Sequence, residues 1–360
     1  MSMKTNKLIS MGMLGLLCFS CSSNKNYPLE EYIKTIDFGE KSSLNILQLA
    51  DIHFSFASDL ELQKKYLQTL ISKSEADIVI MTGDQVLSGN ANSYTSLLDI
   101  IEESSCSYFG FVYGNHDEQG LYDKLFPIRE GLKRSKCLNT YLDDDLFGDT
   151  NFVINIKDGS SLPWQIYCLD SGSLKQGSFA TPYDVIHDEQ IQWYENEVKL
   201  AKSIDSSSKS LTFFHIPLWE TEYAYRHALG KNSESDPGHV GRYSGTMKES
   251  QYYVEGLGET KVYAGYKRTA MFTKMEELGS TKAVFNGHDH KNDFCAEYYI
   301  DESKSDDPIA LCYGLKSGNG LSYLDEMQGG NLAKIGKDGS LELYRARLDY
   351  SFNYSLEAMF

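Results

Sequence analysis

Beyond its first 21 residues the chain has no C-x-x-C pair, and nowhere does it carry a lysine/arginine cluster, an internal repeat or a low-complexity tract. The first absence argues against a zinc ribbon, which needs closely spaced thiolates. The second argues against a basic face for a nucleic-acid backbone. With 51 acidic residues against 34 basic ones, the formal net charge is −17, and such a surface repels polyanions. Small phosphate compounds stay open as ligands, because bound metal ions reverse the sign of the field locally. Only seven prolines occur, scattered, and none marks a linker. The one long apolar run, Leu8 to Ser20, is shorter than the roughly 20 residues a bilayer span needs and has the form of an export signal. The chain as a whole, 360 residues with 41% hydrophobic and 24% charged content, has the composition of ordinary globular material.

Lys4 and Lys7 precede the apolar run, which ends at Cys21. The segment Leu17-Cys18-Phe19-Ser20-Cys21 resembles a bacterial lipoprotein signal, with Ser20 as the small residue before the lipidated cysteine and Cys18 where leucine is usual. The expected division is a signal peptide over 1–20, a lipid-anchored tether and lead-in over 21–40, and one catalytic domain over 41–360. The resemblance implies an exported, cell-envelope protein held to the membrane by a lipid on Cys21; plain secretion is the alternative. Export permits disulfides. Of the five cysteines beyond Cys21, Cys168 and Cys312 lie in strand-like apolar runs and read as buried thiols; no pairing is assigned.

Five short apolar runs each end in chemically capable residues. Leu44 to Ala50 leads into Asp51-Ile52-His53, Asp77 to Thr82 into Gly83-Asp84, and Tyr108 to Tyr113 into Gly114-Asn115-His116-Asp117. Leu211 to Phe214 leads into His215, and Ala283 to Phe285 into Asn286-Gly287-His288-Asp289-His290. Their length and β-branched or aromatic content predict buried strands. Helical spacing between them predicts a helix from a Ser58/Glu61 capping box through Leu62, Tyr66, Leu67, Leu70 and Ile71. Further helices are predicted over His187–Ile204 and over Arg268–Leu278, the latter stopped by Gly279. This alternation is an α/β pattern, in which ligands gather at strand carboxyl ends.

Taken singly, His215 reads as a hydrogen-bonded core histidine and Asp84 as a turn residue. Asp51 and His53, two apart at a strand end, would face the same way. His288 and His290 share that spacing, but the Gly287 turn would splay them toward two ions. Together, seven nitrogen and oxygen donors at five strand ends fit a dinuclear metal site.

These blocks, in this order, resemble the calcineurin-like metallophosphoesterases: D-x-H, G-D, G-N-H-D, a lone H and G-H-x-H. The flanks Phe213-Phe214-His215-Ile216-Pro217 and Gly287 to Phe294 are most similar to the purple-acid-phosphatase-like branch. His53 and Leu87 stand where true purple acid phosphatases have a glycine and a tyrosine, so no tyrosinate–iron site is expected. The resemblance implies a four-layer α/β/β/α sandwich, two mixed sheets flanked by helices, with two Mn, Fe or Zn ions at the strand ends. Asp51, His53 and His290 would bind the first ion, and Asn115, His215 and His288 the second. Asp84 would bridge them through its two oxygens. A metal-bound hydroxide would attack the phosphate ester, His116 would protonate the leaving oxygen, and Asp117 would orient His116.

Between His215 and Gly287 lies a stretch rich in tyrosine and glycine, with Arg226 and Arg242 as candidate phosphate grips and His227 and His239 read as loop histidines. Asp170 and the segment Lys316 to Gly320 read as turns. The expected substrate is a small phosphomonoester or phosphodiester. An exported nuclease, which the charge disfavours, and a non-catalytic surface module on the same fold are the alternatives.

Overall fold

The computed structural model describes residues 33–360 except 56, 88–89, 141–145, 175–182, 229, 231–234, 246–261 and 319–324. The segment expected to be a signal and the first part of the expected tether, with Cys21, lie outside the described residues, as do Tyr252 and Tyr253. Two sheets form the centre. The six-stranded sheet has the order Tyr354–Ala358, Leu341–Leu348, Gly329–Gly336, Ser43–Leu49, Ile78–Thr82, Tyr108–Val112. The eight-stranded sheet has the order Ile33–Asp37, Phe152–Asp158, Ser161–Cys168, Lys209–Phe213, Thr281–Asn286, Ile309–Tyr313, Cys295–Tyr299, His239–Ser244. Both mix parallel and antiparallel pairs.

Strand periodicity builds the layers. Ile46, Ile78 and Ile80 point into the core between the sheets, where they meet Ile154, Trp164, Ile166, Leu211, Phe213 and Phe285. Their neighbours Leu47, Val79 and Met81 point the other way, onto helices Leu60–Lys73 and Ala91–Glu102. Val153, Tyr167 and Val284 of the larger sheet pack on helices Asp188–Ile204, Trp219–Ala228 and Met271–Leu278. The result is the expected α/β/β/α sandwich. Strands buried on both faces, such as Ile78–Thr82 and Ile309–Tyr313, are largely apolar, which is why they read as near-continuous runs.

Several details differ from expectation. The first helix is capped by Asp59, whose carboxylate accepts the Leu62 N–H at 3.1 Å, while the Ser58 hydroxyl accepts the Ser55 N–H at 3.0 Å. Asp59 starts the helix because it sits one position nearer to it. The third predicted helix begins at Met271 rather than Arg268, and Gly279 ends it with φ 63°. Within the lead-in, Ile33–Asp37 forms a strand parallel to Phe152–Asp158, so the folded unit starts before residue 41. Cys312 is not a thiol: it is disulfide-bonded to Cys295, its cross-strand partner in the antiparallel pair. Cys168 is a buried free thiol, as expected.

Candidate metal centre

The parallel strands Ser43–Leu49, Ile78–Thr82, Tyr108–Val112, Lys209–Phe213 and Thr281–Asn286 end at one edge, and the chain turns sharply beyond each. Asp51, His53, Asp84 and His288 all have positive φ, at 50°, 48°, 52° and 85°. Such backbone is costly for residues with a Cβ and clusters at functional sites. It also corrects the reason for the Asp51/His53 pairing: both leave the strand in a left-handed turn, so alternation along an extended strand does not aim them. Gly83, at φ 88°, is needed for space as well as conformation, since a Cβ there would sit 2.4 Å from His215 Nδ1.

The turns bring the donors together in two groups, Asp51, His53, Asp84 and His290 in one and Asp84, His215 and His288 in the other, with donor atoms in each within 4.8 Å. Asn115 joins the second group through Oδ1, 3.1 Å from His215 Nε2. Asp84 belongs to both, but through a single oxygen. Its Oδ2 lies 3.3 Å from His53 Nε2 and 3.4 Å from His215 Nε2. Its Oδ1 is occupied by the His116 backbone N–H at 2.8 Å, which corrects the expectation that both oxygens bridge.

The electrostatics suit cations. His215 is fully buried, with Nδ1 2.9 Å from the Thr82 carbonyl, so Nδ1 carries the proton and Nε2 faces inward. There Nε2 meets three other acceptors: Asn115 Oδ1, Asp84 Oδ2 and, at 3.3 Å, His288 Nδ1. In the protein alone such a cluster holds together by adding a proton. Burial opposes a charged His215 ring, but Asp84 beside it outweighs burial and raises its pKa to about 9. Burial and the charge of His215 in turn hold the His288 pKa well below its usual value. Burial would lift the Asp84 carboxyl, but His215 and His53 hold it well below the carboxylate range. Mixed imidazole, amide and carboxylate donors converging in this way fit a pair of transition-metal ions, a cation taking the place of the proton.

His116 stands at the rim, its side chain 30% exposed and Nε2 3.9 Å from Asp84 Oδ2. Its Nδ1 is 2.9 Å from Gln119 Oε1. Asp117 does not orient it. The Asp117 carboxylate is buried and accepts N–H groups from Gly114 at 2.8 Å and Val86 at 3.2 Å, bracing the loop from behind. Burial and the nearby Asp84 charge push its pKa well up. The contact to the His116 ring comes instead from Gln119, one helical turn away on the exposed side.

Two neighbours went unread in the sequence. Lys316, taken for part of a turn, is fully buried with Nζ 3.1 Å from Asp51 Oδ2. It follows the apolar strand Ile309–Tyr313 as the ligand blocks follow theirs, and that was the available signal. Tyr183 meets the edge of His288, ring centroids 4.2 Å apart, and no pattern announces it. The candidate phosphate grips are engaged with carboxylates: Arg226 donates to Glu222 at 2.6 Å, and Arg242 pairs with Glu297. His227 lies on helix Trp219–Ala228, 2.8 Å from Asp236, and His239 opens a strand, so neither is a loop histidine. Asp170 is a turn residue as read, accepting from the Asp149, Thr150 and Gly172 N–H groups.

A family model described as calcineurin-like phosphoesterase matches residues 44–292. The chain belongs to the calcineurin-like phosphoesterase family. It is 25% identical over 329 residues to a probable inactive purple acid phosphatase of Arabidopsis thaliana, covering 78% of this chain and 74% of that one. It is 25% identical over 340 residues to the phosphatase DCR2 of Saccharomyces cerevisiae, covering 86% of this chain and 53% of that one. In fold it is similar to a dimetal phosphatase of Danio rerio, with TM-score 0.52 and 12% identity over 88% of this chain and 99% of that one. The family uses dinuclear metal sites, and the His and Asp groups gathered here could hold metal.

Proposed function

We propose that the chain is an active hydrolase of small phosphate esters. The observation that carries this reading is the convergence of the expected His and Asp donors on two groups that share Asp84, with Asn115 Oδ1 against His215. A non-catalytic descendant of such an enzyme is free to lose ligands, and none is missing. In this reading Asp51, His53 and His290 would hold one ion and Asn115, His215 and His288 the other, and Asp84 would serve both. When bound, the two ions supply Lewis acidity toward phosphate oxygens and lower the pKa of water. The Thr82 carbonyl and the His116 N–H fix the His215 ring and the Asp84 carboxylate before substrate arrives. His116, partly exposed and held by Gln119, donates the proton to the leaving oxygen.

Relatives named as a phosphatase and as cyclic nucleotide phosphodiesterases favour ester hydrolysis and leave monoester and diester substrates both open. Three relatives named probable inactive purple acid phosphatases favour the second reading, a non-catalytic module. The disulfide between Cys295 and Cys312 agrees with an exported location, and lipidation at Cys21 would tether the protein to the envelope. The test is turnover of p-nitrophenyl phosphate and bis-p-nitrophenyl phosphate by chelated protein reloaded with Mn, Fe or Zn, with Asp84→Ala as control. Reloading should restore turnover to the native chain and not to the variant. Metal bound without turnover on either ester would leave the binding module as the better reading.

A further inference from the structure

The hydrolytic reading gives Lys316 no task, yet its placement is among the most constrained in the molecule. Lysine is rarely buried unless paired, because its ammonium loses water that only a well-placed partner replaces. Here both Lys316 and Asp51 are 0% exposed, and Nζ lies 3.1 Å from Asp51 Oδ2. The backbone holds it there from both sides. Lys316 bridges in parallel to Ala50, the residue before Asp51, and also to Gln328. The Lys316 N–H donates to Met327 O at 3.0 Å, and the Ser317 N–H donates to Ala50 O at 2.9 Å. The link between strands Ile309–Tyr313 and Gly329–Gly336 is thereby stitched alongside the loop that carries Asp51.

This contact makes the two oxygens of Asp51 unequal. Both oxygens share the His288 N–H, at 3.0 Å from Oδ1 and 3.1 Å from Oδ2, but only Oδ2 also takes the ammonium, while Oδ1 stands 3.6 Å from His290 Nε2 on the side of the other donors. Among those donors the only anions are Asp51 and Asp84, the histidines and Asn115 being neutral ligands. Lys316 therefore offsets half of the site's negative charge from a position that solvent does not screen. A trivalent ion depends on anionic donors more than a divalent one does. No substrate can touch a residue this buried, so any effect passes through Asp51.

We propose that Lys316 is a positioning and charge-setting residue: its ammonium holds Asp51 Oδ2, keeps Oδ1 on the side of the other donors, and makes the centre select divalent over trivalent metal. This rests on the two-metal reading above. The test compares the full chain with Lys316→Gln, which keeps a hydrogen-bond donor without the charge, and Lys316→Met, which keeps neither. Chelated protein is titrated with Mn2+ and, separately, with Ga3+ as a trivalent probe without redox chemistry, and bound metal is measured by mass spectrometry. The native chain should take up Mn2+ in preference to Ga3+. Both variants should raise the affinity for Ga3+ relative to Mn2+ by about 10–100-fold. A shift in Lys316→Met alone would overturn the charge-setting role, and no shift in either would overturn the proposal entirely. Should the variants fail to fold, the native chain still decides, because a preference for Ga3+ contradicts the idea. A native chain that binds neither ion would instead sink the two-metal reading, which separates the two failures.

Discussion

A Cβ added at Gly114 would lie 2.3 Å from the Asp84 Oδ1 atom, closer than any side chain can approach a carboxylate. Gly114 is thus a spacing element for the shared ligand as well as part of a turn. Gly114→Ala must either push Asp84 out of line with His53 and His215 or shift the loop that carries Asn115. Overpacking of this kind costs about 1–3 kcal/mol. If that cost falls on the site, metal affinity drops roughly 10–100-fold, since about 1.4 kcal/mol is a factor of ten. Calorimetric titration of chelated Gly114→Ala with Mn2+ would measure it. Affinity equal to the native chain would mean that the loop yields without moving Asp84.

His116 and Asp117 are adjacent in sequence and separate in structure, and they should separate in experiment. His116→Ala should keep its metal and lose about 10²–10⁴ in turnover, the usual contribution of a positioned proton donor. Gln119→Ala, which removes the 2.9 Å contact to His116 Nδ1, should show a smaller loss in kcat with the metal content unchanged. Asp117→Ala should act on stability, because it strips the Gly114 and Val86 N–H groups of their acceptor. Each buried donor left without a partner costs about 1–3 kcal/mol. Melting temperature and metal-saturated kcat, measured on all three variants, sort the roles. An unchanged melting temperature in Asp117→Ala would return that residue to the proton-transfer chain.

The ligand blocks were legible in the sequence for a structural reason. Parallel strands such as Ile78–Thr82 are buried on both faces and read as unbroken apolar runs, so a polar residue just past the end stands out. Helix Asp188–Ile204 was legible because Ile191, Tyr194 and Val198 repeat at its period. Two exposed edge strands were not, whereas the mostly buried edge strand Tyr108–Val112 was. Ile33–Asp37 and His239–Ser244 are largely exposed and mix polar with apolar residues, so neither pattern reveals them. Nor does any local signal announce left-handed backbone at Asp51, His53 and Asp84, since these are not glycines. That conformation is imposed by the surrounding packing. Lys316 shows the same limit: its chemistry depends on a bridge to Ala50, 266 positions earlier in the chain, which composition cannot supply.

Cys295 and Cys312 pair directly across antiparallel strands in the core between the sheets. Sequence alone gives neither the register nor the partner. The bond closes a loop with a sequence separation of 17, and loop-closure entropy assigns such a cross-link about 3 kcal/mol. Reduction, or Cys295→Ser with Cys312→Ser, should lower stability by that order and leave the metal donors in place. Urea unfolding with and without reductant checks it, with the double variant as the control that reductant cannot affect. Equal midpoints for the oxidised and reduced chain would show that the bond constrains nothing the folded core does not already hold.

Glu197 supplies a pH-dependent test far from the metal donors. It lies on helix Asp188–Ile204 beside a cavity of about 300 Å³ that Asn155, Gln165, Leu162 and Ile204 also line. Its Oε2 is buried without a hydrogen-bond partner, and burial raises its pKa from 4.5 to about 6. The sign follows from proton counting. Between pH 4.5 and about 6 the folded chain holds a proton that the unfolded chain has released, so stability falls as pH rises through that window. Above it the full cost of ionising this half-buried carboxylate applies; below it both states are protonated and the cost vanishes. Glu197→Gln removes the charge at nearly constant volume. It should therefore stabilise the chain by on the order of 1 kcal/mol above about pH 7 and by almost nothing near about pH 4. Thermal melts of both chains at the two pH values read this directly. A difference that stays constant across pH would mean that Glu197 finds a partner or water in solution, and that its carboxylate is not the source of the effect.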